Sequence, residues 1–395
     1  MTHRVVWLPL EVVILVIAGI VVLTTGVLLF PVYQGALPYF ENGLYGLLLI
    51  IFALQTITLG RTPFGDLSRS KLVLALGLIV ASVGMVSCLV PIPIALPRIL
   101  LFICFGPGGL SLFLQLIFAE DKSKRWAKYG GIFRQLIYAC GSVYVLSMAI
   151  AALLFNQRLL TTPMTAIATI VFGLAICYLA AVLLRIDRAY PDSAKVPDDK
   201  VKLSTEQVMI LFTSIFMVII GIVLIPVNLG ILPFSANAQL GVLMIIFSIQ
   251  MLAFGNTPVG VFPRTWLVLA FGLVFALLGA VSCIIPHLLV AFLTTLVGTL
   301  NILGGVISLV KMVLARDGHA NKPRETVPPI LTRLFVTQLT LNLLQTLFGT
   351  SMLVPGVVPG LVIGVILAAN GCVLLYLLHV LRLLDTLRSG TEGAK

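Results

Sequence analysis

The sequence predicts an all-α protein, a polytopic membrane bundle of about 12 transmembrane helices arranged as a tandem duplication of a six-helix half. Three observations carry this prediction. Hydrophobic residues make up 60% of the chain and charged residues 10%, where soluble domains have about 25% charged residues. Apolar runs of roughly 20 residues, long enough to cross a bilayer, recur along the chain. One long stretch also occurs twice.

The repeated stretch covers residues 60–91 and returns as residues 255–286 without a gap. Each copy opens on a glycine and a Thr-Pro turn, and each closes on a Val-Ser-Cys triplet followed by a proline. The same offset aligns residues outside the stretch: Gly26 with Gly221, Pro31 with Pro226, Asn42 with Asn237, Gln55 with Gln250, and Gly109 with Gly304. An offset held over this length indicates duplication of a whole half.

Six spans are predicted in each half. Those of the first half cover 10–30, 43–60, 71–90, 98–118, 132–155 and 163–185, and those of the second cover 207–226, 238–254, 265–285, 288–312, 331–353 and 358–381. One linker separates the halves: it runs from Arg185 to Lys202 and contains Pro191, Pro197 and residues of both charges. The predicted domains are therefore an N-terminal half (1–186), a cytoplasmic linker (187–205) and a C-terminal half (206–395). Ser204 and Gln207 have the spacing of a helix capping box at the start of the seventh span.

The basic residues predict the orientation. Lys and Arg fall in loops on alternate sides of the spans, and on this map only Arg98 and Arg158 among them face outside. Both termini are therefore expected in the cytoplasm, in a cell membrane of prokaryotic cytoplasmic type. The net charge of +11 follows from these loops, so it predicts contact with a lipid bilayer and no nucleic acid partner.

Two glutamines stand deep in their spans at matched positions. Gln55 and Gln250 each need a polar partner, because an amide in lipid is costly. They predict either hydrogen bonds between helices or the lining of a shared cavity.

A polar stripe marks the eleventh predicted span. Gln338, Asn342 and Gln345 follow i, i+4, i+7 spacing and therefore share one helix face. Such a face must meet protein or water, so it predicts either a cavity wall or a packed polar seam.

A helix break is predicted near the middle of the fourth span, at Gly106, Pro107, Gly108 and Gly109. Proline removes a backbone hydrogen bond and glycine weakens a helix. A break at this depth predicts either a packing kink or a wall of a substrate site. The aligned stretch of the second half lacks the proline and offers a polar Asn301 instead.

A basic loop follows the fourth span. Lys122, Lys124, Arg125 and Lys128 flank an interfacial aromatic pair and predict contact with anionic lipid head groups. The alternative is that the loop only sets the orientation of the chain.

The sequence has no motif for a cofactor, a metal ion or catalysis. No Asp or Glu lies near the centre of a predicted span, and no nucleotide loop or nucleophile with a base is visible. The six cysteines lie in apolar runs without CxxC spacing, which is typical of packing residues. A non-enzymatic protein without cofactors is expected.

A shorter repeat within each half suggests a family. Glycines seven apart precede a proline in several spans, as at Gly77 and Gly84, which gives a two-span hairpin unit. This hairpin resembles the HdeD-like family, small six-span bacterial membrane proteins linked to acid resistance. The similarity is clearest from Arg264 to Gly272 and continues through Gly279 and Pro286. It implies two fused six-span units with a role in envelope stress or acid tolerance, and it implies no catalytic or binding residues.

The alternative is a secondary transporter similar to the major facilitator superfamily. The length of the chain, its twelve spans and its 6+6 duplication agree with that superfamily. Such a carrier would take a small neutral or anionic solute, with the fourth-span break and the eleventh-span stripe lining its path. The loop between the second and third spans departs from that superfamily, because Asp66, Arg69 and Lys71 have the wrong spacing for its motif. The inner repeat also differs, since the first span resembles the third and not the fourth.

Overall fold

A computed structural model describes residues 8–62, 64–66, 70–118, 125–155, 163–190, 204–317, 329–354 and 356–392. The first half of the chain contains α1 (Leu10–Tyr33), α2 (Glu41–Leu59), β1 (Arg61–Thr62), β2 (Gly65–Asp66), α3 (Lys71–Leu89), α4 (Ala95–Phe105), α5 (Pro107–Phe118), α6 (Arg125–Tyr129), α7 (Gly131–Phe155) and α8 (Pro163–Ala189). The second half contains α9 (Thr205–Asn228), α10 (Ala236–Phe254), β3 (Asn256–Thr257), β4 (Gly260–Val261), α11 (Trp266–Ile284), α12 (Val290–Asp317), α13 (Pro329–Leu353) and α14 (Gly360–Glu392).

The helices have the length and composition of membrane spans. Within the described residues, 11 helical segments are long and apolar enough to cross a bilayer, with α4 and α5 counted as one segment. Helix α13 is also 25 residues long but is not among them, and it carries the polar stripe. The protein is thus all-α apart from two short strand pairs, with the character of a multi-pass integral membrane protein, as the sequence predicts.

The chain divides into two compact units. Unit 1 contains α1 to α8 together with α10 and α11, and unit 2 contains α9 and α12 to α14. These units do not coincide with the halves expected from the sequence, because the hairpin of α10 and α11 joins helices of the first half.

Unit 1 contains two helix hairpins, α2 with α3 and α10 with α11. Two long-range backbone hydrogen bonds join them: the Phe40 N–H donates to the Ile284 carbonyl at 2.9 Å, and the Ser235 N–H donates to the Leu89 carbonyl at 2.9 Å. These bonds are reciprocal, since the repeat offset that aligns Phe40 with Ser235 also aligns Leu89 with Ile284. Each hairpin thereby ties the start of its first helix to the end of the other hairpin.

Glycines allow these helices to approach closely. A Cβ at Gly46 would collide with the Gly84 carbonyl oxygen, and a Cβ at Gly241 would lie 2.6 Å from the Gly279 carbonyl oxygen. Gly43 packs on the backbone carbonyl of Cys283 in the other hairpin. Helices α2 and α10 are consequently the two most buried of the membrane-length segments.

A short β-hairpin follows α2, and another follows α10. Gly60 and Gly255 end these helices in the left-handed region, with φ of 66° and 73°. The Thr62 hydroxyl then donates to the Gly65 carbonyl at 2.7 Å, and in unit 2 the Thr257 hydroxyl donates to the Gly260 carbonyl at 2.7 Å. The Thr-Pro turn of the sequence therefore closes a tight loop in both places.

Unit 2 is built on the packing of α9 against α14. The predicted capping box at the start of α9 is confirmed: the Ser204 hydroxyl accepts from the Gln207 N–H at 3.2 Å, and the Gln207 side chain accepts from the Ser204 N–H at 3.1 Å. The Gln207 amide also donates to the Asp385 carboxylate at 2.7 Å, which joins α9 to α14.

Candidate functional site

A cavity of about 60 Å³ lies within unit 1, enclosed by α1, α2, α4, α7, α8 and the loop before α2. Its wall is mainly apolar, with Leu and Val side chains and the rings of Phe105 and Phe172. Because about 10–15 Å³ of space measured in this way holds one water molecule, the cavity has room for a molecule of a few non-hydrogen atoms.

The predicted helix break lies at the edge of this wall, to which Phe105, the last residue of α4, contributes. Helix α4 ends at Phe105 and α5 begins at Pro107, with Gly106 between them at φ −78° and ψ −84°. Phe105 points into the cavity region, where its ring meets those of Phe52 and Phe172 edge-on at centroid distances of 5.1 Å and 5.6 Å. The Ser147 hydroxyl of α7 donates to the Phe105 carbonyl at 3.2 Å, which satisfies backbone released by the break.

Hydroxyl groups supply the polar part of the wall. Thr25 on α1 donates to the Val21 carbonyl at 2.7 Å, and Thr169 on α8 donates to the Thr165 carbonyl at 2.7 Å. A hydroxyl that donates to its own helix keeps its oxygen lone pairs for a ligand. The wall therefore offers acceptor oxygens on two facing helices.

Two tyrosines complete the lining next to a pair of charged residues. The Tyr45 hydroxyl donates to the Glu41 carboxylate at 2.5 Å, and Arg98 lies near enough to act electrostatically on Tyr45. Burial, and secondly the negative charge of Glu41, raises the pKa of Tyr39 above its ordinary value. The Tyr39 phenol therefore stays protonated and neutral at physiological pH.

Taken singly, these residues carry no signal in the sequence, because a threonine or tyrosine within an apolar span is common. A comparison of the two halves carries the missing signal. The repeat offset aligns Thr25, Tyr39, Glu41, Tyr45 and Arg98 with apolar residues. Their counterparts are Ile220, Phe234, Ala236, Leu240 and Leu293.

The glutamines predicted to meet a cavity or a partner lie elsewhere in unit 1. Gln55 is half-buried in α2 and Gln250 is half-buried in α10. Neither belongs to the residues that line the cavity. The two alternatives given for this pair both stay predictions.

The polar stripe of α13 lies in unit 2 and faces α12 over part of its length. Gln345 lies against Gly304, and the Asn342 carbonyl packs against Gly305. Gln338 is exposed, and the buried Asn301 amide donates to the Val297 carbonyl of its own helix at 2.8 Å. These contacts place part of the stripe beside α12, and the two alternatives given for it, a cavity wall or a packed polar seam, both stay predictions.

Of the basic loop after the fourth span, only part lies in the described residues. Lys122 and Lys124 lie outside them, and of Arg125 the structure describes the backbone at the start of α6. Lys128 is exposed on α6. Its contact with anionic lipid stays a prediction.

The chain was also compared with known proteins. No family model matches it, and neither the curated proteins nor the solved structures that were searched contain a match.

Proposed function

We propose that this chain is a non-enzymatic, twelve-span protein of the prokaryotic cytoplasmic membrane, formed by tandem duplication of a six-helix half, with both termini cytoplasmic. Its aligned glycines, its alternating basic loops and the reciprocal bonds between its hairpins support this proposal. The cavity of unit 1 is the feature that best indicates a function.

We infer that the cavity binds a small, uncharged solute, as the substrate site of a membrane carrier does. The observation that carries this inference is the cavity wall itself, which places threonine and tyrosine hydroxyls among apolar side chains beside the α4–α5 break. An apolar pocket with a few well-placed polar groups is the common form of a ligand site. A charged solute would lose its hydration there without full compensation.

The difference between the two halves supports the same inference. Packing alone gives no reason for the first half to keep hydroxyls and a charged rim where the second half has apolar residues. A wall that binds a polar atom of a solute needs such residues in one half only.

Thermal unfolding of the purified protein against a panel of small alcohols, polyols and amides tests this function. We expect one chemical class to raise the melting temperature in proportion to the logarithm of its concentration. Thr25→Val and Thr169→Val should weaken that solute's effect, because each removes an acceptor oxygen from the wall.

Thr340→Val is the matched control. The Thr340 hydroxyl donates to the Val336 carbonyl in the same manner, but on an exposed face of α13 in unit 2. Stabilisation by no solute, or equal loss in the control, would contradict a binding role for the cavity.

A second candidate is the HdeD-like role in envelope stress or acid tolerance. The close packing of the α2–α3 and α10–α11 hairpins favours it, because hairpins joined through glycines form a rigid bundle. For this role we expect acid survival of cells to fall when the gene is deleted, while no solute stabilises the purified protein.

A further inference from the structure

A groove on the surface of unit 1 lies between α5 and α7, apart from the cavity. Its volume is about 520 Å³, and its walls include Phe113 and Ile117 of α5 and Tyr138 and Val145 of α7. Ile117, Tyr138 and Val145 are exposed apolar or aromatic side chains. The groove is thus open and mainly apolar, and it lies between two membrane-length segments.

Gly141 keeps the groove open. A Cβ at this position would meet only the Leu116 side chain, at 3.8 Å. The space beside α7 is therefore unfilled at its middle, although a side chain would fit there. On the inner side of α7, the buried cluster of Leu136, Ala139 and Cys140 packs on α5 and α8, so the groove wall rests on a solid core.

A basic group stands at one end of the groove. Arg134 lies one turn before Tyr138 on the same face of α7, donates to its hydroxyl at 3.3 Å and places its guanidinium 5.9 Å from the ring centroid. Lys128 on the preceding α6 is also exposed. Within the described parts of α5, α6 and α7 there is no Asp or Glu to neutralise them.

We propose that this groove binds an anionic phospholipid, with one acyl chain along the α5–α7 channel and the phosphate at Arg134. The walls of the groove are mainly apolar, which suits an acyl chain, and the basic Arg134 at one end suits a phosphate. An arginine binds a phosphate through parallel N–H donors, and Tyr138 holds the guanidinium in place.

Native mass spectrometry of the full chain in detergent tests the proposal, with phosphatidylglycerol and phosphatidylcholine of identical acyl chains as probes. We expect phosphatidylglycerol to be retained in preference. Arg134→Gln should weaken its binding about fivefold and leave phosphatidylcholine unchanged, since one basic residue near a lipid surface contributes about that factor. Arg134→Lys should keep only part of the preference, because the charge remains while the parallel N–H donors and the contact with Tyr138 are lost.

Gly141→Leu fills the channel and should reduce the retention of both lipids. Lys311→Gln, which removes an exposed cation from α12, is the control and should change neither. Equal retention of the two lipids by the native protein would overturn the proposal. Loss of the preference in Lys311→Gln to the extent seen in Arg134→Gln would also overturn it, because the attraction would then be diffuse.

Discussion

At the scale of single residues, the absence of a side chain is what brings helices of unit 1 together. Gly43 of α2 packs directly on the backbone carbonyl of Cys283 in α11, where no other residue type fits. In a membrane the lipid is as apolar as the side chains, so close backbone approach has to supply the attraction that water supplies in soluble proteins. These contacts are therefore sensitive to a single methyl group.

Gly43→Ala tests this sensitivity. We expect a loss of about 1–3 kcal/mol in unfolding free energy, because the new Cβ overlaps the Cys283 carbonyl and forces the hairpins apart. Thermal or denaturant unfolding in detergent measures it. Gly141→Ala is the control, since its Cβ has room, and it should be neutral or slightly stabilising. Equal effects at the two glycines would show that the hairpins do not depend on close contact.

At the scale of elements, helix ends are held by specific side chains. The two serines before α9 and α10 differ in this respect: Ser204 accepts from the Gln207 N–H, while Ser235 makes no side-chain cap. Ser204→Ala should therefore cost about 0.5–2 kcal/mol, and Ser235→Ala should cost clearly less. Hydrogen exchange in the first turn of each helix resolves the two effects. A larger effect at Ser235 would contradict the cap.

The hairpin of β1 and β2 is held in a similar way from α5. The Gln115 amide donates to the Phe64 carbonyl at 2.7 Å, and the Ser111 hydroxyl donates to the same oxygen at 3.2 Å. Gln115→Leu should speed amide exchange in residues 61–66, because a hydrogen bond of about 0.5–1.5 kcal/mol is lost. Gln338→Leu, an exposed glutamine of α13, should leave that exchange unchanged. Unaltered exchange in Gln115→Leu would mean that the β1–β2 hairpin is stable without its contact to α5.

The sequence predicts the types of the secondary-structure elements and the positions of some helix ends. Apolar length predicts the spans, and the Ser204–Gln207 spacing predicts the cap, because both depend on neighbours in the chain. The cavity depends on side chains from five helices far apart in sequence, so Thr25 and Tyr45 gave no local signal. The assignment of α10 and α11 to unit 1 likewise depends on long-range packing, which no periodicity encodes.

At the scale of the whole molecule, the proposed orientation with both termini in the cytoplasm rests on the loop charges and is open to a direct test. A reporter fused after Lys395 should be active if it is a cytosolic type and inactive if it requires the periplasm. The same pair of reporters fused within the 91–94 turn should give the opposite result. Periplasmic activity after Lys395 would refute the map.

The location of the α10–α11 hairpin in unit 1 predicts the behaviour of separated halves. Residues 1–190 expressed alone should be unstable in detergent, because the outer ends of α2 and α3 lose their partners. Coexpressed 1–190 and 204–395 should copurify. Size-exclusion chromatography and affinity capture measure this. If the fragment 1–190 is stable and monodisperse in the absence of 204–395, then α2 and α3 do not depend on α10 and α11.

The reciprocal bonds of Phe40 with Ile284 and of Leu89 with Ser235 also bear on how the chain is made. When α2 and α3 have been inserted into the membrane, Ser235 and Ile284, which form these bonds, have not yet been synthesised. The early spans are therefore in the bilayer without these two hydrogen bonds until the ninth predicted span, α11, has been synthesised. A chain that stops short of it leaves the Phe40 N–H and the Leu89 carbonyl without these partners, so the closing of α2 and α3 onto the second half is among the last steps of assembly.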